Sequence, residues 1–107
     1  MWERRETRVL ILADNALTDL PPRIGRLRRL RTLDLGHNAL TSPPEEVGEL
    51  TGLDGCLHLH DNRLRTVPPW LGRELPALEK LDLRWNGTVV DPGLVGELER
   101  RGCVVLR

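Results

Sequence analysis

One phrase occurs four times in this 107-residue chain: Leu10-x-Leu12-x-x-Asn15, Leu33-x-Leu35-x-x-Asn38, Leu57-x-Leu59-x-x-Asn62 and Leu81-x-Leu83-x-x-Asn86. The leading leucines, at positions 10, 33, 57 and 81, are spaced by 23, 24 and 24 residues. The L-x-L alternation turns both leucines to one face of a strand, and a period in the twenties leaves room for one strand and one return segment per turn of chain. A unit this small cannot enclose its own leucines, so the units must stack and bury them between neighbours. The Asn after each strand carries donors and acceptors that can satisfy backbone groups left unpaired where the chain turns. Asn15, Asn38, Asn62 and Asn86 are therefore expected to form a ladder along the stack.

The stretch Leu30-x-x-Leu33-x-Leu35-x-x-Asn38-x-Leu40 resembles the consensus of the leucine-rich-repeat family, and the resemblance spans roughly residues 7 to 88. The return segments around Leu20-Pro21-Pro22-Arg23-Ile24-Gly25-Arg26-Leu27, Pro43-Pro44-Glu45-Glu46-Val47-Gly48-Glu49-Leu50 and Val67-Pro68-Pro69-Trp70-Leu71-Gly72-Arg73-Glu74-Leu75 look like the L-P-x-x-L-G-x-L subtype of intracellular repeat proteins. Pro43 stands where a leucine is expected, and single extra residues fall near Gly55 and Glu74. The resemblance implies an α/β solenoid, a curved right-handed stack with a parallel sheet on its concave face and short helical or irregular segments on its convex side. The expected organisation is one domain over 1–107, with repeats near 8–30, 31–53, 54–78 and 79–88 and a C-terminal cap over 89–107.

The cap departs from the repeat. Asp91-Pro92 reads as a helix N-cap followed by proline at the first helical position, and Gly102 stands where a C-terminal glycine belongs, so a helix is expected over about 92–101. Adding 23 to Leu81 and Leu83 lands on Val104 and Leu106, which are expected to be the inward residues of a fifth strand. A helix and strand of this kind would close the hydrophobic end of the stack. At the other end only Trp2 offers cover, so the first strand is expected to be an open edge.

Composition narrows the function classes. There is no Phe or Tyr, so the core must be built almost entirely from Leu, Val and Ile. Sixteen basic and sixteen acidic residues cancel, which removes the global field that would draw the chain to nucleic acid or anionic membrane. Cys56 and Cys103 match no zinc, redox or disulfide spacing and favour a reducing, cytoplasmic setting. The apolar run Val9–Ala13 is too short for an export signal or a span. Gly-rich phosphate loops and nucleophile motifs are absent, so no enzyme activity and no cofactor are expected.

Side chains alternate across a strand, so residues beside the inward leucines fall into columns on the sheet face, with neighbouring members of a column about 4.8 Å apart. One column is Ile11, Asp34, His58, Asp82, Val105; the next is Ala13, Gly36, His60, Arg84; a third is Val9, Thr32, Cys56, Lys80, Cys103. A fourth, at the strand ends, holds Asp14, His37, Asp61 and Trp85. The candidate partner-binding residues are Asp34, His37, His58, His60, Asp82, Arg84 and Trp85, with Trp and Arg the types that most often dominate interfaces. The competing reading is a solvated sheet face.

Three further readings bear on partners. The alternation of Cys56, His58 and His60 permits a metal-binding or pH-gated sensor, with Asp34 and Asp82 flanking His58. Arg23, Arg26, Arg28, Arg29 and Arg31 form the basic cluster of the chain, but a shift of one repeat sets Arg23 beside Glu46 and Arg26 and Arg73 beside Glu49, so cross-coil pairing is expected to neutralise it. The Pro-Pro pairs recur at one repeat position and read as turns. The sequence thus points to a protein-protein interaction module, monomeric or weakly dimeric, with no nucleic acid or membrane partner and no resident metal.

Overall fold

In the computed structural model, residues 1–88 and 90–107 are described. Five three-residue strands, β1 (Val9–Ile11), β2 (Thr32–Asp34), β3 (Cys56–His58), β4 (Lys80–Asp82) and β5 (Val104–Leu106), lie side by side in sequence order, every neighbouring pair parallel. The register pairs Leu10, Leu33, Leu57 and Leu81 with one another, as the repeat requires. Return segments run on the far side: 3-10 turns at Pro22–Arg26 and Glu45–Glu49, the short helix α1 (Trp70–Arg73), and α2 (Pro92–Arg100). Each Pro-Pro pair opens its return segment: Pro22 starts the first 3-10 turn, and Pro44 and Pro69 immediately precede the other two. The turn reading of these prolines holds. Proline fixes φ near the helical value and its missing N–H is no loss at a first turn.

The core lies between these two layers and is a set of leucine rows. Leu33, Leu57 and Leu81 are fully buried, as are Leu35, Leu59, Leu27, Leu50, Leu75, Leu30 and Leu53. In the first coil Leu10, Leu12 and Leu17 are only partly covered, because they have a neighbour on one side alone. Trp2 packs partly against the same cluster, the modest N-terminal cover expected of it. The extra residue near Gly55 lets the chain run against β2: Gly55 N–H donates to the Arg31 carbonyl at 2.7 Å, and a side chain at Gly55 would collide with Thr32 and with that carbonyl.

The asparagine ladder is present. Asn38 donates from its amide to the carbonyls of its own turn, Leu35 and Gly36, and to Leu12 of the coil before it, while its Oδ1 accepts from the Asn15 and Leu17 amides. Asn62 repeats this with Leu59, His60, Leu35 and the Leu40 amide, and Asn86 with Leu83, Arg84, Leu59 and the Asn62 and Leu64 amides. Asn38, Asn62 and Asn86 thus each staple their turn to the preceding coil.

The cap forms with one correction. Asp91 accepts from the Gly93 amide at 3.1 Å, α2 runs Pro92–Arg100, and Gly102 sits at φ +86°. The Gly102 amide reaches the Glu99 carbonyl and the Cys103 amide reaches Leu98, the two bonds of a Schellman ending. The strand that follows, however, is offset from β4 by 24 rather than 23: Lys80 pairs with Val104, Leu81 with Val105 and Asp82 with Leu106. Val104 and Leu106 therefore continue the outward columns, and Cys103 and Val105 face the core, the reverse of the expected inward set. The Schellman turn sets the register: its second bond ties Cys103 back to the helix and buries it, and period-2 alternation follows from there. Position 89, the first residue expected of the cap, lies outside the described residues.

Candidate functional site

The strand face opposite the helical segments brings together the predicted residues. Just past each of β1 to β4 the chain turns through a left-handed residue: Asp14, His37, Asp61 and Trp85 all have φ between 51° and 61°. This conformation costs a non-glycine residue roughly 1–2 kcal/mol, and the asparagine ladder immediately behind holds it in place. It also throws these four side chains into a row at the rim of the sheet. There His37 Nδ1 lies 2.6 Å from Asp61 Oδ2, and this hydrogen bond holds the His37 pKa above the ordinary histidine value. Trp85, at the end of the row, is 65% exposed.

Inside the rim the columns hold. Asp34 and His58 are paired across β2 and β3, and His58 and Asp82 across β3 and β4. Asp82 is buried and gripped by the Arg84 guanidinium through two bonds of 3.0 and 2.8 Å. Burial alone would push its carboxyl up, but the bonds from the Arg84 side chain and amide outweigh it and hold Asp82 below the ordinary carboxylate range. The guanidinium carbon of Arg84 lies 4.8 Å from the centre of the Trp85 ring, a cation–π arrangement. Asp82, Arg84 and Trp85 are thus one fixed unit, which spacing alone did not reveal.

The three histidines cluster. The His60 ring meets those of His37, His58 and Trp85 edge-on, with centroids 4.9, 5.5 and 6.2 Å away. One donor atom from each of Asp34, His58 and His60 lies within 4.8 Å of the other two. Cys56 does not join this group. It is half-buried beside Lys80, and burial pushes its thiol up to about 11, far from the thiolate a metal would need at neutral pH. Cys103, placed by the sequence in the outward column with Cys56, is in the core instead.

The basic cluster also differs from expectation. Among the described residues none of the Arg23, Arg26 or Arg73 pairs with Glu46 or Glu49 closes to salt-bridge distance, since long exposed side chains gain little by pairing in water. The ion pair formed there is Arg31 with Asp54, at 2.9 and 3.2 Å. Arg26, Arg28 and Arg29 join Arg5 and Glu6 around a surface depression of about 350 Å³, well away from the histidines in the fold. No helix among the described residues is long and apolar enough to cross a membrane.

A parallel sheet built one strand per 23–24 residues, with leucine rows beneath it and an asparagine ladder along its edge, defines a leucine-rich-repeat solenoid. Comparison with known families agrees: residues 8–53 match the family model described as leucine rich repeats in two copies. Among solved structures it is similar to a leucine-rich-repeat protein of Leptospira interrogans, at 28% sequence identity and a TM-score of 0.60. That match covers 98% of this chain and 32% of the Leptospira chain, so the present chain spans about a third of that protein's length. No curated protein matches the sequence.

Proposed function

We propose that the chain is a protein-binding module that docks its partner on the strand face, with the Asp82–Arg84–Trp85 unit as the principal anchor and Asp34, His37, His58 and His60 as the polar surround. Leucine-rich-repeat domains generally mediate protein–protein interaction, and one observation supports that role for this face. Apart from Met1, the large hydrophobic side chains left exposed among the described residues are Val9, Ile11, Trp85 and Val104, and each occupies an outward column of the sheet or its rim. An aromatic ring two-thirds exposed yet pre-fixed by a stacked arginine loses little side-chain entropy on binding, the character of an interface hot spot. A typical interface covers about 800 Å² per partner, which a surface of 6100 Å² accommodates on one face.

The test compares variants of equal stability. In a pull-down or biosensor assay with the captured partner, W85A should weaken binding by at least tenfold, the loss expected when a central anchor is truncated, whereas R23A/R26A on the opposite side should leave it unchanged. Loss on R23A/R26A with W85A silent would transfer the interaction to the return-segment face.

A further inference from the structure

We propose that Asp34, His58 and His60 form a three-ligand site for a first-row divalent cation such as zinc, open on the strand face. A flat sheet ordinarily splays its side chains apart, and what defeats that here is a glycine. A Cβ built on Gly36 would sit 2.5 Å from His60 Cε1, 2.6 Å from His60 Nε2 and 3.1 Å from Asp34 Oδ1. The His60 ring therefore leans sideways from its own coil into the space a side chain at 36 would fill, and its Nε2 and the Asp34 carboxylate converge on one point above the neighbouring strand's extension. His58, paired with Asp34 across the β2–β3 ladder, completes the triangle within 4.8 Å.

The surroundings leave these donors available. Asp82 is taken by Arg84 and Asp61 by His37, while the hydrogen bond made by the Asp34 carboxylate is to the Gly36 amide. Nδ1 of His58 and Nδ1 of His60 are both buried without a hydrogen-bond partner, a condition that burial ordinarily penalises. With Nε2 of His60 turned toward Asp34, its Nδ1 faces Asp82 Oδ2 at 3.5 Å. That contact is short of a hydrogen bond but closes into one with a small rotation, giving the carboxylate–histidine–metal relay that fixes tautomer and orientation at many sites.

Two imidazoles and a carboxylate suit zinc and its first-row neighbours rather than magnesium or calcium, which take oxygen-rich shells. Ligand bonds of about 2.0–2.2 Å require the donors to draw a little closer than they stand, which small torsional changes in three side chains supply. Three protein ligands leave a fourth position facing outward, for water or for a donor from a docked partner.

Zinc titrated by calorimetry into the full chain, after stripping with a chelator, is expected to bind one ion per chain and to raise the melting temperature. H58A/H60A and D34N should weaken binding by at least tenfold. G36A, which removes no ligand but forces the His60 ring away, should do the same while keeping the circular dichroism of the wild type. C56A should bind as the wild type does. Absence of saturable one-to-one binding, equal affinity in H58A/H60A, or loss of affinity in a folded C56A chain would overturn the assignment. The melting temperature of each variant without zinc separates loss of site from loss of fold.

Discussion

Asn15 and Asn62 hold the same place in their repeats but not the same environment, and the difference sets what each is worth. Asn62 is 7% exposed and its side chain serves the carbonyls of Leu35, Leu59 and His60 and the amide of Leu40. Asn15 serves two carbonyls of its own turn in full view of water, with no coil before it. Buried groups left unpaired cost about 1–3 kcal/mol each, whereas exposed ones recruit solvent. N62A is therefore expected to lose about 3 kcal/mol or more, and N15A less than about 1 kcal/mol, measured by urea denaturation. Equal losses would mean that the ladder contributes through turn propensity rather than through its bonds. The ladder itself was legible from spacing, because an Asn at a fixed offset after every strand has only backbone to serve. The columns of Asp34, His58, Asp82 and of His37, Asp61, Trp85 were legible for the same reason, since alternation has period 2. What the spacing did not carry were side-chain choices: Arg84 on Asp82, and His60 lying over Gly36 rather than beside Cys56.

At the scale of elements, the ends of α2 were readable to within a residue from Asp91-Pro92 and Gly102, because caps are local chemistry. The strand after it was misregistered by one, because a Schellman ending binds Cys103 back to Leu98 and leaves the next strand to start from there. That geometry makes Cys103 a reporter on the cap. It is 3% exposed, and burial raises its thiol pKa, so in the docked state it is shielded both sterically and by lack of thiolate. Modification by a thiol reagent at pH 8 should proceed only through undocking of α2 and β5. Removing the N-cap with D91A costs a helix about 0.5–2 kcal/mol and is expected to speed labelling of Cys103 roughly 2- to 30-fold, by the same conversion, as followed by peptide mass spectrometry. An unchanged rate would show that the cap opens without its helix unwinding.

For the whole molecule the governing fact is that each coil touches only its neighbours, so stability is a sum of adjacent interfaces and the two ends need not be equal. The molecule extends 37 Å along its longest axis, with β1 and β5 as the edges of its sheet. At the C-terminal end α2 buries Leu94, Val95 and Leu98 against the stack. At the N-terminal end Val9 and Ile11 stand open and Leu10 and Leu12 are only partly covered. The ladder offers an internal comparison, because chemically equivalent bonds recur along it: Leu12 to the Asp34 carbonyl at 2.8 Å, Leu35 to His58 at 2.9 Å, Leu59 to Asp82 at 2.9 Å and Leu83 to Leu106 at 2.7 Å. Their lengths lie between 2.7 and 2.9 Å, so a large difference in amide exchange must come from how often the coil opens rather than from the bond. Local opening free energies run from near zero at frayed ends up to the global value in the core. Protection is accordingly expected to be lowest at Leu12, highest at Leu35 and Leu59, and substantial at Leu83, where α2 and β5 close the stack. Uniform protection at all four amides would show that the chain unfolds as a single cooperative unit and that Trp2, small as its cover is, suffices to close the first coil.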